Sequence, residues 1–273
     1  MPKKYISIIT INYNNNSGLE STMESVLSQT SDDFEYIIID GGSKDGSPDT
    51  IKKFLKPANG KKIKFWCSER DKGIYNAMNK GVLHATGEYC LFVNSGDTLL
   101  SSNTISSAIN ELKNKNEDII AGTELFTNGT VIKPFSPEKI NAFTYMDSFL
   151  PHESTFIKTK IMKKIKYREN YRIASDFIFF FEAIFMNKCT YSTIPTEITL
   201  FNLDGISSTN NTKGHQEIAD FYNKYVPSYV LDLYNSYRTF CEKKYIEYGS
   251  NVANNKIMMF IYKVFRKLGF FKH

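Results

Sequence analysis

Unbroken apolar runs alternate with helix-like spacings along the first half of the chain. The runs at residues 5–11 and 34–39 show no polar alternation, so they predict strands buried on both faces of a parallel sheet. Between residues 74 and 85 the apolar side chains recur at intervals of three and four, which predicts a helix with one face against that sheet. The β-α repetition continues to about residue 122 and predicts an α/β fold with a mostly parallel, doubly wound sheet.

Local signals predict where several other elements begin. We expect Ser17 to cap the first helix. The tripeptide Ser47-Pro48-Asp49 is typical of an N-cap, a proline at the first helical position and an acid in the first turn, so it predicts a helix near 48–56. A helix at 103–115 and a strand at 118–122 complete this part of the chain.

The pattern changes after residue 122 to short strands separated by turns. The pair Asn128-Gly129 lies between two short apolar segments and predicts a hairpin. An aromatic helix follows near Asp176, and the last sixty residues have a helical pattern. These features predict a small mixed β subregion followed by C-terminal helices.

Composition narrows the classes of protein to consider. The chain has 273 residues, 41% hydrophobic and 14% aromatic, which is enough for a sizeable core and excludes general disorder. The net charge is +5 with dispersed lysines, so nucleic acid is not an expected partner. The four cysteines lie far apart without metal-ligand spacing, and the N-terminal apolar run is too short for a signal peptide. We therefore expect free thiols and a cytoplasmic location.

Two polar segments directly follow predicted buried strands. Asp40 ends the second strand, and Gly41-Gly42 permits a sharp turn with close ligand approach. Because ligands of open α/β sheets bind beyond the carboxyl ends of the strands, a carboxylate there can accept hydrogen bonds from a nucleoside. Asp40 could instead cap its own turn, and Asp45 is better explained by turn chemistry. The second segment is 94–97, with the sequence Asn-Ser-Gly-Asp.

Three stretches together resemble the inverting glycosyltransferases of family 2, which have the GT-A fold. They are SIITINYNN, IIIDGGSKDGS and SERDKGIYNAMNKGVLHATGEYCLFVNSGD, and the resemblance covers roughly residues 5–208. Within the family, these stretches are similar to those of bacterial enzymes that assemble capsule, O-antigen or exopolysaccharide. It implies a domain at 1–210, with a nucleotide-binding part at about 1–122 and an acceptor part at about 123–210, and a helical extension at 211–273.

The resemblance also implies the residues that bind the donor nucleotide sugar. Ile11 and Tyr13 would lie beside the base, and Asp40 would accept its imide N–H, which suits uracil in a UDP-sugar. Asp71 would approach the ribose or diphosphate, although it could equally cap the helix that follows. Asn94 and Ser95 would contact the donor as well.

Asp97 stands where the family usually carries an Asp-x-Asp metal motif. The resemblance therefore implies a Mg²⁺ or Mn²⁺ ion at this position. The motif is reduced here to one carboxylate, so the diphosphate and water would supply much of the coordination. Asp97 could otherwise be an ordinary turn residue.

Asp176 is implied to be the general base that takes the proton of the acceptor hydroxyl. The alternative is that Ser175 or Asp176 is simply the N-cap of its helix. Glu182 lies on nearly the opposite helical face and is not expected to be its partner. His152 could line a pocket or have only a structural role.

The tail at 256–273 has a wide apolar face opposite a group of lysines. It is too short and too charged to span a bilayer, but it could lie in a membrane interface, dock on the domain or form a dimer contact.

The implied function is transfer of a sugar from a nucleotide diphosphate sugar to a saccharide or lipid-linked saccharide in surface polysaccharide synthesis. Two alternatives stay open at this stage. A sugar nucleotidyltransferase would also bind nucleotides at strand ends, and the reduced metal motif leaves room for a non-catalytic scaffold that binds sugar nucleotides.

Overall fold

The computed structural model describes residues 4–55, 62–134, 139–202 and 211–252, without the side chains of residues 211 and 241–252. The chain divides into two compact units, Met1–Ile218 and Ala219–His273. The first unit contains the sheet. Residues 256–273, for which the sequence leaves open a membrane, domain or dimer contact, lie outside the described ranges.

The N-terminal half of the sheet is parallel, as the apolar runs predict. Its strands are β1 (Ile6–Asn12), β2 (Phe34–Asp40), β3 (Ile63–Ser68) and β4 (Tyr89–Phe92), in the order β3-β2-β1-β4. Every residue of β1, β2 and β4 is buried. The prediction of strands covered on both faces is therefore confirmed.

The other half of the sheet is mixed. It contains β5 (Thr98–Leu99), β6 (Ile119–Phe126), β7 (Val131–Ile132), β8 (Thr155–Lys158) and β9 (Tyr191–Phe201). The order continues as β4-β8-β6-β9-β5, and β7 pairs with β6. The strand predicted at 118–122 therefore does not join the parallel half directly, because β8 lies antiparallel between β4 and β6. The predicted hairpin through Asn128-Gly129 is the antiparallel β6-β7 pair, and Gly129 has the positive φ of +83° that such turns require.

Helices cover the sheet of the first unit. Leu19, Met23 and Val26 of the first helix share a core with residues of β1 and β2. The third helix packs closely on the same two strands, since a Cβ on Gly81 would lie 2.5 Å from Ile9 Cγ2. The helices of the first unit are α1 (Asn16–Leu27), α2 (Ser47–Phe54), α3 (Ile74–His84), α4 (Thr104–Leu112), α5 (Ala142–Met146), α6 (Thr159–Ile165) and α7 (Ser175–Phe181).

Two predicted helix starts are wrong by one or two residues. The N-cap of α1 is Asn15, whose side chain accepts the Gly18 N–H, and not Ser17. Ser47 is the first residue of α2 and the N-cap is Gly46. The Ser47 hydroxyl donates to Asp45 Oδ1 at 2.6 Å. The turn role expected for Asp45 is thereby confirmed.

Two further helices follow the sheet, α8 (Asn211–Tyr225) and α9 (Ser228–Val252). The second unit begins within α8 and contains α9. The described residues 211–252 are thus largely helical, as the sequence pattern predicts. Within the described ranges, no helix combines the length and hydropathy needed to cross a bilayer.

Candidate active site

Asp40 ends β2 with a fully buried carboxylate, at 0% exposure. Its Oδ1 accepts from Asn12 Nδ2 at 2.7 Å and Ser43 Oγ at 2.5 Å, and its Oδ2 accepts from Ser43 N at 3.0 Å and Ser68 Oγ at 2.6 Å. Burial alone would raise the pKa of Asp40, but these hydrogen bonds lower it below its ordinary value. The turn-capping bond is therefore present. The expected contact with a base imide stays a prediction, and it would require displacement of one of these donors.

Two other predicted nucleotide-binding residues meet at the turn after Asp40. A Cβ on Gly41 would lie 2.5 Å from Asp71 Oδ2 and 3.2 Å from Tyr13 Cδ2, so both side chains lie against this glycine. Tyr13 is 67% exposed, whereas Ile11 is buried in β1. Asp71 Oδ1 also accepts the Gly73 N–H at 2.9 Å, before the start of α3, so a structural role accompanies the predicted ligand role.

The segment after β4 lies beside the end of β1. Ser95 N donates to Ile11 O at 3.1 Å, and Ser95 Oγ donates to Asn15 O at 3.1 Å. Asn94 reaches a different neighbour, since its Nδ2 lies 3.1 Å from His152 Nε2. The loop therefore connects the predicted nucleotide-binding edge to His152.

Asp97 ends this loop and is 5% exposed. Its Oδ1 accepts the Asn202 N–H at 3.0 Å. Burial, together with the negative charge of Glu153, raises the pKa of Asp97 to about 7. Asp97 is thus part of a buried group of acids rather than an isolated turn residue.

His152 lies between two carboxylates. Its Nδ1 is 3.0 Å from Asp176 Oδ2, and its Nε2 is 2.9 Å from Glu153 Oε1. Burial alone would lower the pKa of His152, but the charge of Glu153 and hydrogen bonds to both carboxylates raise it well above its ordinary value. Asn94 Oδ1 is buried without a hydrogen-bond partner, and an amide turned the other way would accept from Nε2. His152 is therefore an imidazolium at neutral pH.

Asp176 lies in the first turn of α7, with its side chain 25% exposed. Its Oδ1 is 2.8 Å from the Tyr75 hydroxyl. Burial by itself would raise the pKa of Asp176, but the hydrogen bond and charge of His152 and the Tyr75 hydroxyl lower it below its ordinary value. The residue before α7 is Ala174, and no side chain caps the helix, so the alternative of Ser175 or Asp176 as N-cap is wrong.

Glu182 is separate from Asp176, as its helical position predicts. Its Oε1 forms a salt bridge with Arg168 Nη2 at 2.6 Å.

The sequence did not single out Glu124, Glu153 or Tyr75. Glu124 and Glu153 are both buried. Burial and the charge of Glu153 raise the pKa of Glu124 to about 9, so Glu124 is protonated at neutral pH. A charged residue inside the apolar strand β6 was the available signal, because glutamate is rarely buried without a partner. We call Asp97, Glu124, His152, Glu153 and Asp176 the acidic cluster.

A cavity of about 300 Å³ opens onto this cluster. Its lining includes four members of the cluster, Glu124, His152, Glu153 and Asp176. Aromatic side chains also line it, namely Phe126, Phe149, Phe177 and Phe201. Apolar walls with a few convergent polar groups are typical of small-molecule sites. We call it the acceptor cavity, because most of its lining belongs to the acceptor part that the sequence predicts at about 123–210.

The residues around Asp97 do not complete a cation site. Both nitrogens of His152 face carboxylates, and an imidazolium cannot ligate a metal. In the part of the chain that the structure describes, no three His, Cys, Asp or Glu side chains are arranged to hold a metal ion. These residues alone therefore do not fit Mg²⁺ or Mn²⁺, and the expected role of Asp97 as a ligand stays a prediction that depends on oxygens from a diphosphate and water.

The structure brings some of the predicted residues together and keeps others apart. Asp97 and Asp176 belong to the acidic cluster through His152 and Glu153. Asp40 lies at the carboxyl end of the same parallel strands but has its own hydrogen-bond network. Two of the three predicted site aspartates, Asp97 and Asp176, therefore share the neighbours His152 and Glu153, whereas Asp40 does not.

Comparison with known sequences gives one family and a group of relatives. The family described as Glycosyl transferase family 2 matches residues 7–185, which is more than half of the chain. An uncharacterized glycosyltransferase of Mycobacterium tuberculosis (strain CDC 1551 / Oshkosh) is 29% identical over 208 residues, covering 74% of this chain and 77% of that protein.

Two solved structures share the fold. S. aureus TarS 1–349 in complex with UDP-GlcNAc has a TM-score of 0.61 at 19% identity, covering 76% of this chain and 61% of that chain. Mannosyltransferase PcManGT from Pyrobaculum calidifontis, in complex with GDP-Man and Mn²⁺, has a TM-score of 0.54 at 17% identity, covering 70% of this chain and 54% of that chain. At these identities the likeness concerns the fold alone.

Proposed function

This chain belongs to glycosyl transferase family 2, and from that premise we propose that it transfers a sugar from a nucleotide diphosphate sugar to a saccharide or lipid-linked saccharide, with inversion. Its fold is similar to that of GT-A glycosyltransferases such as TarS. The observation that carries the proposal is the position of Asp176, an ionised carboxylate held by two neighbours at the wall of the acceptor cavity.

Asp176 would act as the general base. A hydroxyl of an acceptor sugar in the cavity would donate its hydrogen bond to the Asp176 carboxylate. As the hydroxyl oxygen bonds to the anomeric carbon, its proton passes to Asp176, and the bond from that carbon to the diphosphate oxygen breaks on the opposite side. The products are the new glycoside with inverted configuration and a nucleoside diphosphate.

His152 and Tyr75 would position this base. Both lie within 3.0 Å of an Asp176 oxygen, so they fix the carboxylate and keep it ionised. A carboxylate with a lowered pKa is a weak base, but it is fully available at neutral pH. Holding the donor and the acceptor in the right orientation to each other would supply much of the remaining rate increase.

The donor would bind at the ends of β1 and β2. The exposed ring of Tyr13, beside Asp71 and the Gly41 turn, supports a place for the base and ribose. This position would be surrounded by Ile11, Asp40, Asn94 and Ser95. Asp40 would act mainly by stabilising the turn that follows it. A UDP-sugar is our proposed donor, and TarS, which shares the fold, was solved with UDP-GlcNAc.

The acceptor is proposed to be a growing surface polysaccharide or its lipid-linked precursor. The aromatic wall of the acceptor cavity supports a saccharide, because sugar rings present apolar C–H faces to such surfaces. The protein would act at the cytoplasmic side of the membrane, in line with the free thiols at Cys67, Cys90 and Cys189.

Two measurements test this function. Thermal unfolding with a panel of nucleoside diphosphates should show a rise in melting temperature for one base, because selective ligand binding stabilises the folded state. Nucleotide release from the matching nucleotide sugar should then depend on addition of a saccharide acceptor. Binding without acceptor-dependent release would contradict the proposed transfer.

A further inference from the structure

A second cavity, of about 430 Å³, lies beside the N-terminus of α3. Its charged lining consists of Lys72, Arg172 and Lys213 with a single acid, Glu169. Among the residues with described side chains, none of these three cations forms an ion pair. The cavity is therefore positively charged.

The walls of this cavity are held by specific contacts. Both oxygens of Glu169 are engaged by α3, since they accept from Asn76 Nδ2 at 2.9 Å and Asn79 Nδ2 at 3.1 Å. Glu217 of α8 accepts the backbone N–H groups of residues 172–174 at 2.8 to 3.0 Å. Arg172 is thus fixed at the cavity by its backbone, and its side chain is exposed.

The cavity lies between the two ends of the proposed donor. On one side, Lys72 directly follows Asp71, which lies against Gly41 and Tyr13 where the nucleoside is proposed to bind. On the other side, Tyr75 lines the cavity and contacts Asp176. Ile173 lines both this cavity and the acceptor cavity, so the two adjoin. In a nucleotide sugar, the group that joins the nucleoside to the sugar is the diphosphate.

We propose that this cavity binds the diphosphate of the nucleotide donor through Lys72, Arg172 and Lys213. The inference rests on the proposed function. Arg172 offers paired donors to phosphate oxygens, and the two lysines supply point charges. The same side chains would stabilise the negative charge that grows on the diphosphate as the bond to the sugar breaks.

The test compares nucleotide with nucleoside binding by calorimetry on the full chain. Five proteins are titrated with UDP and with uridine: the wild type, Lys72→Ala, Arg172→Ala, Lys213→Ala and the triple variant. GDP and guanosine replace these ligands if the wild type selects guanine. We expect each single substitution to weaken diphosphate binding about tenfold, a typical effect of losing one charged hydrogen bond. Nucleoside binding should stay within about twofold, because the base and ribose bind elsewhere.

A control that also lowers the net charge is Lys113→Ala with Lys115→Ala, just after the end of α4. This double variant should bind the diphosphate as the wild type does, which separates local contacts from a change in net charge. Lys72→Gln and Lys213→Gln serve as milder variants, and melting temperatures establish that each protein is folded.

The outcomes separate the two proposals. If the wild type binds a nucleoside diphosphate and the triple variant binds it equally well, the diphosphate site is overturned while the proposed function stands. The same proteins are also titrated with inorganic pyrophosphate. If the variants lose pyrophosphate binding but pyrophosphate does not compete with UDP on the wild type, the cavity binds a different phosphate-bearing ligand, and the donor assignment is overturned. If the wild type binds no nucleoside diphosphate, the proposed function itself fails.

Discussion

The Nδ1 atom of His152 lies 3.0 Å from Oδ2 of Asp176. The two residues come from different elements, a short 3-10 turn before β8 and the first turn of α7. Glu153 holds the opposite nitrogen of the same ring at 2.9 Å. Because both nitrogens face carboxylates, the imidazole is charged, and this charge sets the protonation of Asp176.

Replacement of Asp176 by Asn should remove the carboxylate that accepts the proton while keeping the shape of the side chain. We expect sugar transfer to fall by about two or more orders of magnitude, the usual effect of losing a general base. Nucleotide release with acceptor measures this. Asp49→Asn, at an exposed position of α2, is the control, and near-normal turnover of Asp176→Asn would refute its role as the base.

His152→Gln should shift the pH dependence of kcat. Without the imidazolium, burial raises the pKa of Asp176, so the acid limb of the profile should move to higher pH. Activity at pH 6 should therefore fall more than activity at pH 8. His215→Gln, which changes another histidine lining the acceptor cavity, should leave the limb in place. An equal loss at every pH would argue for a purely structural role.

Asp97→Asn should change how stability depends on pH. The folded-state pKa of Asp97 is raised to about 7, so the folded chain holds this proton between about pH 4 and pH 7 where the unfolded chain has lost it. The wild type consequently loses stability as pH rises through that range. We therefore compare the melting temperatures of Asp97→Asn and wild type at each pH. The difference, Asp97→Asn minus wild type, should increase by about a few degrees from pH 5 to pH 8. A difference that is constant with pH would contradict the raised pKa.

Asp40→Asn should destabilise the protein because it replaces a buried acceptor with an amide donor. The hydroxyl of Ser68 or the amide of Asn12 would lose its partner, and each unsatisfied buried group costs about 1 to 3 kcal/mol. Urea unfolding should show a loss of about 2 to 4 kcal/mol. Asp32→Asn, at an exposed position, should have little effect. Unchanged stability together with lost nucleotide binding would favour the direct base contact instead.

Gly41→Ala should weaken nucleotide binding with little effect on folding. The new methyl group would displace the Asp71 carboxylate, 2.5 Å away, and press on the Tyr13 ring. Because Gly41 does not have a positive φ, the backbone tolerates alanine. We expect nucleotide affinity to drop about tenfold by calorimetry. Gly129→Ala, at the hairpin turn, strains the backbone but should bind nucleotide normally, and equal affinities in all three proteins would contradict the placement of the nucleoside.

The buried strands and the start of α7 could be predicted from sequence because both depend on neighbours within a few residues. Continuous apolar runs predict β1 and β2, and these runs also place Asp40 at a strand end. The spacing of Asp176 and Glu182 along the helix was enough to predict that their side chains lie on nearly opposite faces. The family resemblance then supplied the donor-binding edge.

The acidic cluster was decided only by the tertiary structure. His152 and Glu153 reach Asp97 and Asp176 because β8 inserts antiparallel between β4 and β6, and no local pattern specifies which distant strand will fill that position. The same holds for Asp40, whose carboxylate is saturated by Asn12 and Ser68 from the neighbouring strands. Sequence periodicity determines which face of an element is buried. The partners that a buried polar group finds, and hence its pKa, depend on contacts between residues far apart in the chain.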